Sequence, residues 1–321
     1  PLYSSAASDV YKRQAALGAN LGIAVLKFGA FLLTKSSSML AESIHSVADT
    51  GNQLLLLVGG KASRKKADDE HQFGHGQNRY IYAFLVSIVM FSLGGLFSLY
   101  EAWEKWHDPH GIDSWAWVPI VVLVGSILLE GRSFLVANKQ AQEKRGRRSW
   151  LGYLREAKSP ELPVVMLEDS AAVAGLFFAL IGVVVTVITG DGRWDAAGSA
   201  AIGVLLVVVA IFLAVEIKSL LVGESASPET DRRIREAIKS EAGIGLIHLK
   251  TMHLGPEELL VAAKISVEGD VSAIQLVEAI NATEARIRQA VSQAQMVYIE
   301  PDIYREDYTS SKPTPESEEE L

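Results

Sequence analysis

Long apolar runs separated by short polar stretches fill residues 15 to 222, and beyond Gly223 that pattern ends. Six of the runs approach the roughly 20 apolar residues that a membrane-crossing helix requires: 15–33, 39–60, 80–103, 115–137, 163–189 and 196–222. The first, third and sixth are the cleanest. The second is broken by His45 and Asp49, the fifth by Glu168 and Asp169. A soluble helical core has no need of so many long, unpunctuated runs, so the pattern predicts a membrane all-α, six-helix transmembrane bundle over residues 15–222.

After Gly223 the periods shorten. "SPETDRRIREAIKSEAG" has Ser227 as N-cap, Pro228 at the first helical position and acids in the first turn, the marks of a helix start. "GLIHLKTMHLG" alternates loosely. "ELLVAAKISV" alternates strictly and sets Leu259, Val261, Ala263, Ile265 and Val267 on one face of a strand. "VSAIQLVEAINATEARIRQAV" places Ile280, Ile287 and Val291 along a helical stripe, and "AQMVYIEPD" reads as a last short strand. The predicted order is αββαβ, a small α/β domain over residues 223–305. Residues 306–321 are polar and acidic and are expected to be disordered. At the other end, residues 1–14, "PLYSSAASDVYKRQ", lack an initiator Met and resemble a translated sequencing-adapter artefact. They are set aside from the fold as artefact or disorder, with the true N-terminus expected to be missing.

Composition sharpens this division. Of 321 residues 49% are hydrophobic and 21% charged, with a mean hydropathy of +0.20, a combination that fits charge segregated from apolar blocks. The net charge of -8 argues against a nucleic-acid partner. There are no cysteines, which excludes disulfides and thiolate metal sites and leaves His, Asp and Glu as metal ligands. Lys61, Arg64, Lys65 and Lys66 follow the second run; Lys139, Lys144, Arg145, Arg147, Arg148, Arg155 and Lys158 follow the fourth. The opposite side offers only Lys35, Lys105 and Arg193. This asymmetry predicts that both termini and the basic loops face the cytoplasm, or the matrix in an organelle. The inner membrane of a bacterium is the expected location.

His45 and Asp49 lie four apart and so share a helix face, which Asn52 and Gln53 roughly continue. A carboxylate at bilayer depth costs about 2.5–3.5 kcal/mol even on lenient scales, so a metal or a proton is expected to neutralise it. Imidazole nitrogen with carboxylate oxygen suits zinc and its neighbours. In the fifth run Glu168 and Asp169 are followed by small residues that let helices approach closely. His45, Asp49 and Asp169 then form a three-ligand site, with Glu168 or water as the fourth. The structural alternative, a polar side chain bonding a neighbouring helix, is the reading for Asn20 and Ser92, while Lys27 either snorkels or pairs with an acid such as Glu42.

These residues resemble a known family. "SSSMLAESIHSVADTGNQ", the loop "DDEHQFGHGQ", the fifth-run "EDSAAVAG" and the αββαβ tail together resemble the cation diffusion facilitators, six-span zinc and manganese transporters with a cytoplasmic metallochaperone-like domain. The resemblance runs from residue 15 to 304 and points to the branch that includes the animal mitochondrial zinc exporter, whose fifth span also reads Leu-Glu-Asp. It implies a ferredoxin- or metallochaperone-like fold for the tail domain, a homodimer joined through that domain and the membrane part, and a transport site from an HxxxD or DxxxD pair on the second span and an HxxxD pair on the fifth. His45, Asp49 and Asp169 match that pattern, but the position four before Asp169 is Val165, which binds no metal. The second-span histidine implies Zn2+ as transported substrate, with manganese, iron and cobalt as alternatives and no organic cofactor. Asp68, His71 and His75 match a second zinc site of some bacterial members, although the FGHG turn is equally readable as structural. His248 and His253 of the tail domain are expected to face solvent, and Tyr298 stands where such relatives carry a histidine. His107 and His110 sit in an outer polar loop.

The implied activity is proton antiport by alternating access, because ligands must release protons to bind metal. Neither a phosphate-binding GxxxxGK[ST] loop nor an HExxH protease helix occurs, so neither a nucleotide-driven pump nor an intramembrane protease is supported. A non-transporting subunit of the same fold is the remaining alternative, kept open by Val165.

Overall fold

The computed structural model describes residues 21–112, 115–145, 149, 158–240, 243–269 and 271–303. The chain up to Asn20, the loop residues Arg147, Arg148 and Arg155, and the acidic tail lie outside them. The chain divides between Leu221 and Val222 into two compact units.

The first unit is helical. The described part of helix α1, Leu21–Thr34, is short and apolar. It leads into α2, Ser37–Ala62, and then α3, Asn78–His107, a continuous helix whose middle, Met90–Leu96, is π-wound. Helices α4, Trp117–Arg145, α5, Glu161–Thr189, and α6, Arg193–Val222, complete it. Apart from Trp115 and Ala116, the described residues of each predicted run fall on one of these helices. Four of them are long and apolar enough to cross a membrane: α3, α4 over Trp117–Val136, α5 and α6. Helix α2 has the length, 26 residues, but its polar face keeps it outside that set, and the described part of α1 is too short for it. The outward faces are apolar, with Leu128, Ile181, Ile188 and Val215 exposed, while Met39, Tyr80, Leu123, Leu176 and Leu206 pack inside.

Small residues set how closely these helices approach. A Cβ on Gly198 of α6 would meet Phe178 O of α5 at 3.0 Å, and one on Gly203 would meet Gly95 O of α3 at 3.0 Å. Helix α2 is held at its start by α6. The Asp195 carboxylate accepts hydrogen bonds from Ser36 Oγ (2.9 Å), Ser37 N (2.7 Å) and Ser38 N (3.3 Å), and is fully buried. It satisfies the free N–H groups that every helix start leaves, and its charge suits the positive end of the helix dipole.

The second unit contains α7, Pro228–Lys239, β1, Ile244–Gly255, β2, Glu258–Val267, α8, Ala273–Ala290, and β3, Met296–Pro301. The sheet order is β1-β2-β3, with β1 antiparallel and β3 parallel to the central β2. Ser227 caps α7 by accepting from Thr230 N, as its sequence predicts. Leu259, Val261, Ala263 and Ile265 of β2 are buried against Ile234 and Ile238 of α7 and Ile287 of α8. One expectation fails here. His253 does not face solvent but is buried, its Nδ1 3.3 Å from Gly255 O and its backbone N–H bonded to Glu224 O. The cause is the irregularity of β1, whose register against β2 shifts between Leu246 and His248 and again between His253 and Gly255. A one-residue shift turns side chains to the other face. His248 is only partly buried; burial and the nearby Lys250 and Lys264 ammonium groups lower its pKa.

Candidate metal centre

Glu42, His45, Asp49 and Asn52 follow one another at helical spacing along the inner face of α2. That face packs on α3 and α5. Glu42, His45 and Asn52 are almost wholly buried, and Asp49 retains 15% side-chain exposure. His45 Nε2 stands 3.5 Å from Asp49 Oδ2, yet neither ring nitrogen of His45 has a hydrogen-bond partner. Its Nδ1 looks toward the π-wound turn of α3, where a Cβ on Gly94 would lie 3.8 Å away. π-Turns of this kind recur at functional sites.

Helix α5 supplies the opposing acids. Asn52 Nδ2 donates to Glu168 Oε1 at 3.0 Å, and the carboxyls of Asp49 and Glu168 lie within hydrogen-bonding reach of each other. Two carboxylates this close among apolar helices need a cation or a proton between them. Asp49 Oδ1 and Asn52 Oδ1 remain buried without a partner. Asp169 is one residue further round α5, a turn of about 100°, and the acids acting on it are Glu168 and Glu130 rather than Asp49. Val165, one helical turn before Asp169, offers no donor. His45, Asp49 and Glu168 therefore lie at the interface of α2 and α5, and Asp169 is not brought to the same point.

Convergence occurs instead in the loop between α2 and α3. Among the described residues, Asp68, His71 and His75 are the set of three whose ligand atoms all lie within 4.8 Å of one another. His71 Nδ1 is 3.4 Å from Asp68 Oδ1, and His75 Nε2 is 3.2 Å from Asp68 Oδ2. The turn depends on Gly74, whose φ of 84° is left-handed, a conformation in which glycine carries no Cβ penalty. The Lys65 ammonium, 2.7 Å from Asp68 Oδ2, the His71 backbone N–H and the His75 ring together hold the Asp68 carboxyl well below the usual carboxylate range. One carboxylate and two imidazoles form a donor set suited to zinc. His107 is the last residue of α3 rather than a loop residue, and His110 lies in the loop beyond it; both are exposed, His110 beside Asp108 at 3.4 Å.

Two groups have clearer roles here than in the sequence. Lys27 pairs with Glu42, as the sequence allows, but also with Glu130 of α4, which no periodicity singled out. Asp195 is a helix clamp that reads in sequence as an ordinary polar flank.

Residues 14–222 match the cation efflux transmembrane domain. The mitochondrial proton-coupled zinc antiporter SLC30A9 of Homo sapiens is 34% identical over 248 residues, which are 76% of this chain and 44% of that one. Metal tolerance protein C4 of Arabidopsis thaliana is 30% identical over 261 residues, 79% of this chain and 56% of that one. Magnetosome protein MamM of Paramagnetospirillum magneticum is 33% identical over 105 residues, 31% of this chain and 33% of that one. The chain thus spans less than half the length of the human relative. A family match over most of the chain, together with a relative of this identity, means that the chain belongs to the cation efflux family of integral, multi-pass membrane proteins.

Proposed function

We propose that the chain is a secondary transporter, not an enzyme, that moves Zn2+ out of the compartment holding its basic loops in exchange for protons. His45, Asp49, Glu168 and Asp169 are the proposed transport site. The observation that carries this reading is the buried α2/α5 interface, where an imidazole with two unbonded nitrogens faces paired carboxyls among apolar helices. Unpaired polar atoms at such depth are costly unless a cation or protons occupy the space between them. Zinc is the proposed substrate because the human and mouse relatives are named proton-coupled zinc antiporters. Glu168, in place of a histidine at position 165, supplies the α5 group beside Asp49.

Helices α1 and α2 are proposed as two further membrane spans, the first and second in chain order, giving a six-helix bundle over residues 15–222. The second unit is proposed as a cytoplasmic, ferredoxin- or metallochaperone-like domain over residues 223–305, through which two copies dimerise. Asp68, His71 and His75 are proposed as a second zinc site at the basic-loop side of the bundle. The test is metal uptake by proteoliposomes across zinc, manganese, iron and cobalt. Zinc is expected to be taken up best, and Asp49→Ala is expected to abolish the uptake; a variant as active as the parent sinks the assignment. The second reading is a non-transporting subunit, favoured by Val165 and by the spread of the four ligands. It predicts no flux until Val165→His restores a donor.

A further inference from the structure

Lys27 of α1 is fully buried, and its ammonium uses all three of its protons. It donates to Glu42 Oε2 on α2 at 3.0 Å, Glu130 Oε1 on α4 at 2.9 Å and Ser46 Oγ on α2 at 2.8 Å. One positive charge thus meets two carboxylates. The remaining oxygens, Glu42 Oε1 and Glu130 Oε2, are buried without a partner. Glu42 Oε1 is turned to α5, where a Cβ on Gly175 would stand 2.9 Å from it.

This node borders the proposed transport site without belonging to it. Lys27 acts electrostatically on His45 and Asp49 of α2, and Glu130 acts on Asp49 of α2 and Asp169 of α5. Glu168 of α5 completes the charged surroundings through Asp49. Among the described residues, no charged group of α3 or α6 enters these interactions.

We propose that Lys27, Glu42 and Glu130 form a fixed internal counter-charge, in which the saturated ammonium keeps both glutamates from taking up protons or binding the cation. Exchange of protons for metal is thereby confined to the acids and imidazole between α2 and α5. The three are positioning residues, and the proposal rests on the transport reading above. Without the ammonium, a glutamate at this depth takes a proton instead and releases it when a divalent cation arrives nearby.

The full chain in detergent, titrated with zinc in weak buffer containing a pH indicator, reports protons released per zinc bound. Lys27→Met is expected to raise that ratio by about one proton. The neutral node Lys27→Met/Glu42→Gln/Glu130→Gln is expected to return it to the parental value. Glu130→Gln keeps an acceptor for Lys27, so it leaves the ratio unchanged but weakens zinc affinity about tenfold by removing one negative charge. A purely structural role lowers the melting temperature of these variants and leaves the ratio fixed. A ratio identical in the parent and Lys27→Met overturns the proposal. Should Lys27→Met fail to fold, Glu130→Gln decides, and an affinity equal to the parent's overturns it. A parent that binds no zinc overturns the transport reading, and this proposal with it; a parent that binds zinc beside unaltered variants overturns this proposal alone.

Discussion

At Asp49 the chain places a carboxyl between an imidazole one turn earlier and a second carboxyl on another helix. The α2 half of this arrangement is legible in sequence, because an i, i+4 spacing on an apolar helix leaves little choice of face. The α5 half is less so. The family resemblance points to Asp169, while the packing turns its neighbour Glu168 toward Asp49 and Asn52, and sequence alone does not resolve which of two adjacent acids a helix rotation presents. Glu168→Gln is accordingly expected to weaken zinc binding by about 10–100-fold, the scale of losing a supporting group at a metal site, and Asp169→Asn by less. Calorimetric titration in detergent checks this; a larger loss for Asp169→Asn would reverse the assignment. Glu130 was invisible in sequence for a simpler reason: its partner Lys27 is 103 positions away. At the loop, the depressed pKa of Asp68 means that its bonds contribute in full above the ordinary aspartate value and are lost only as pH falls through the lower folded value. The Asp68–His71 turn is therefore expected to persist at about pH 4, near the ordinary aspartate pKa. Amide exchange at His71, whose N–H donates to Asp68 Oδ1, reports it, and full exposure at that pH would contradict it.

Elements depend on how their ends and registers are fixed. The start of α2 rests on Asp195, so Asp195→Ala leaves helix-start donors of Ser37 and Ser38 unbonded in a buried setting. A loss of about 1–3 kcal/mol is expected, seen as a lower melting temperature in detergent with Asp195→Asn intermediate. No change would mean that the clamp is dispensable. In the second unit, strict alternation made β2 readable, whereas the two register shifts of β1 hid the inward turn of His253. His248 carries a pH consequence. Its folded pKa is lowered, so the unfolded chain binds the proton more readily, and stability is complete above the ordinary imidazole pKa of about 6.5 and falls as pH drops below it. His248→Gln is expected to flatten that acid-side loss, measured by amide exchange of β1 in the full chain at neutral and mildly acidic pH. An unchanged loss would place its cause elsewhere.

For the whole molecule, segregation of apolar and charged stretches was enough to anticipate a helical membrane part, four of whose helices are long and apolar enough to cross a membrane, followed by a mixed α/β segment. Helix α2 was expected as a span too, but its inner face carries the groups that lower its hydropathy, so the helix most central to the proposed function falls outside those four. The same physics connects that face to the proposed activity, because acids and an imidazole buried among lipid-exposed helices call for an occupant that is either metal or protons. The most direct measurement records zinc and internal pH together in sealed vesicles holding the full chain. Zinc moving one way is expected to carry protons the other, with both signals lost together in Asp49→Asn. Zinc flux indifferent to an imposed pH gradient, or undiminished in that variant, would contradict the account.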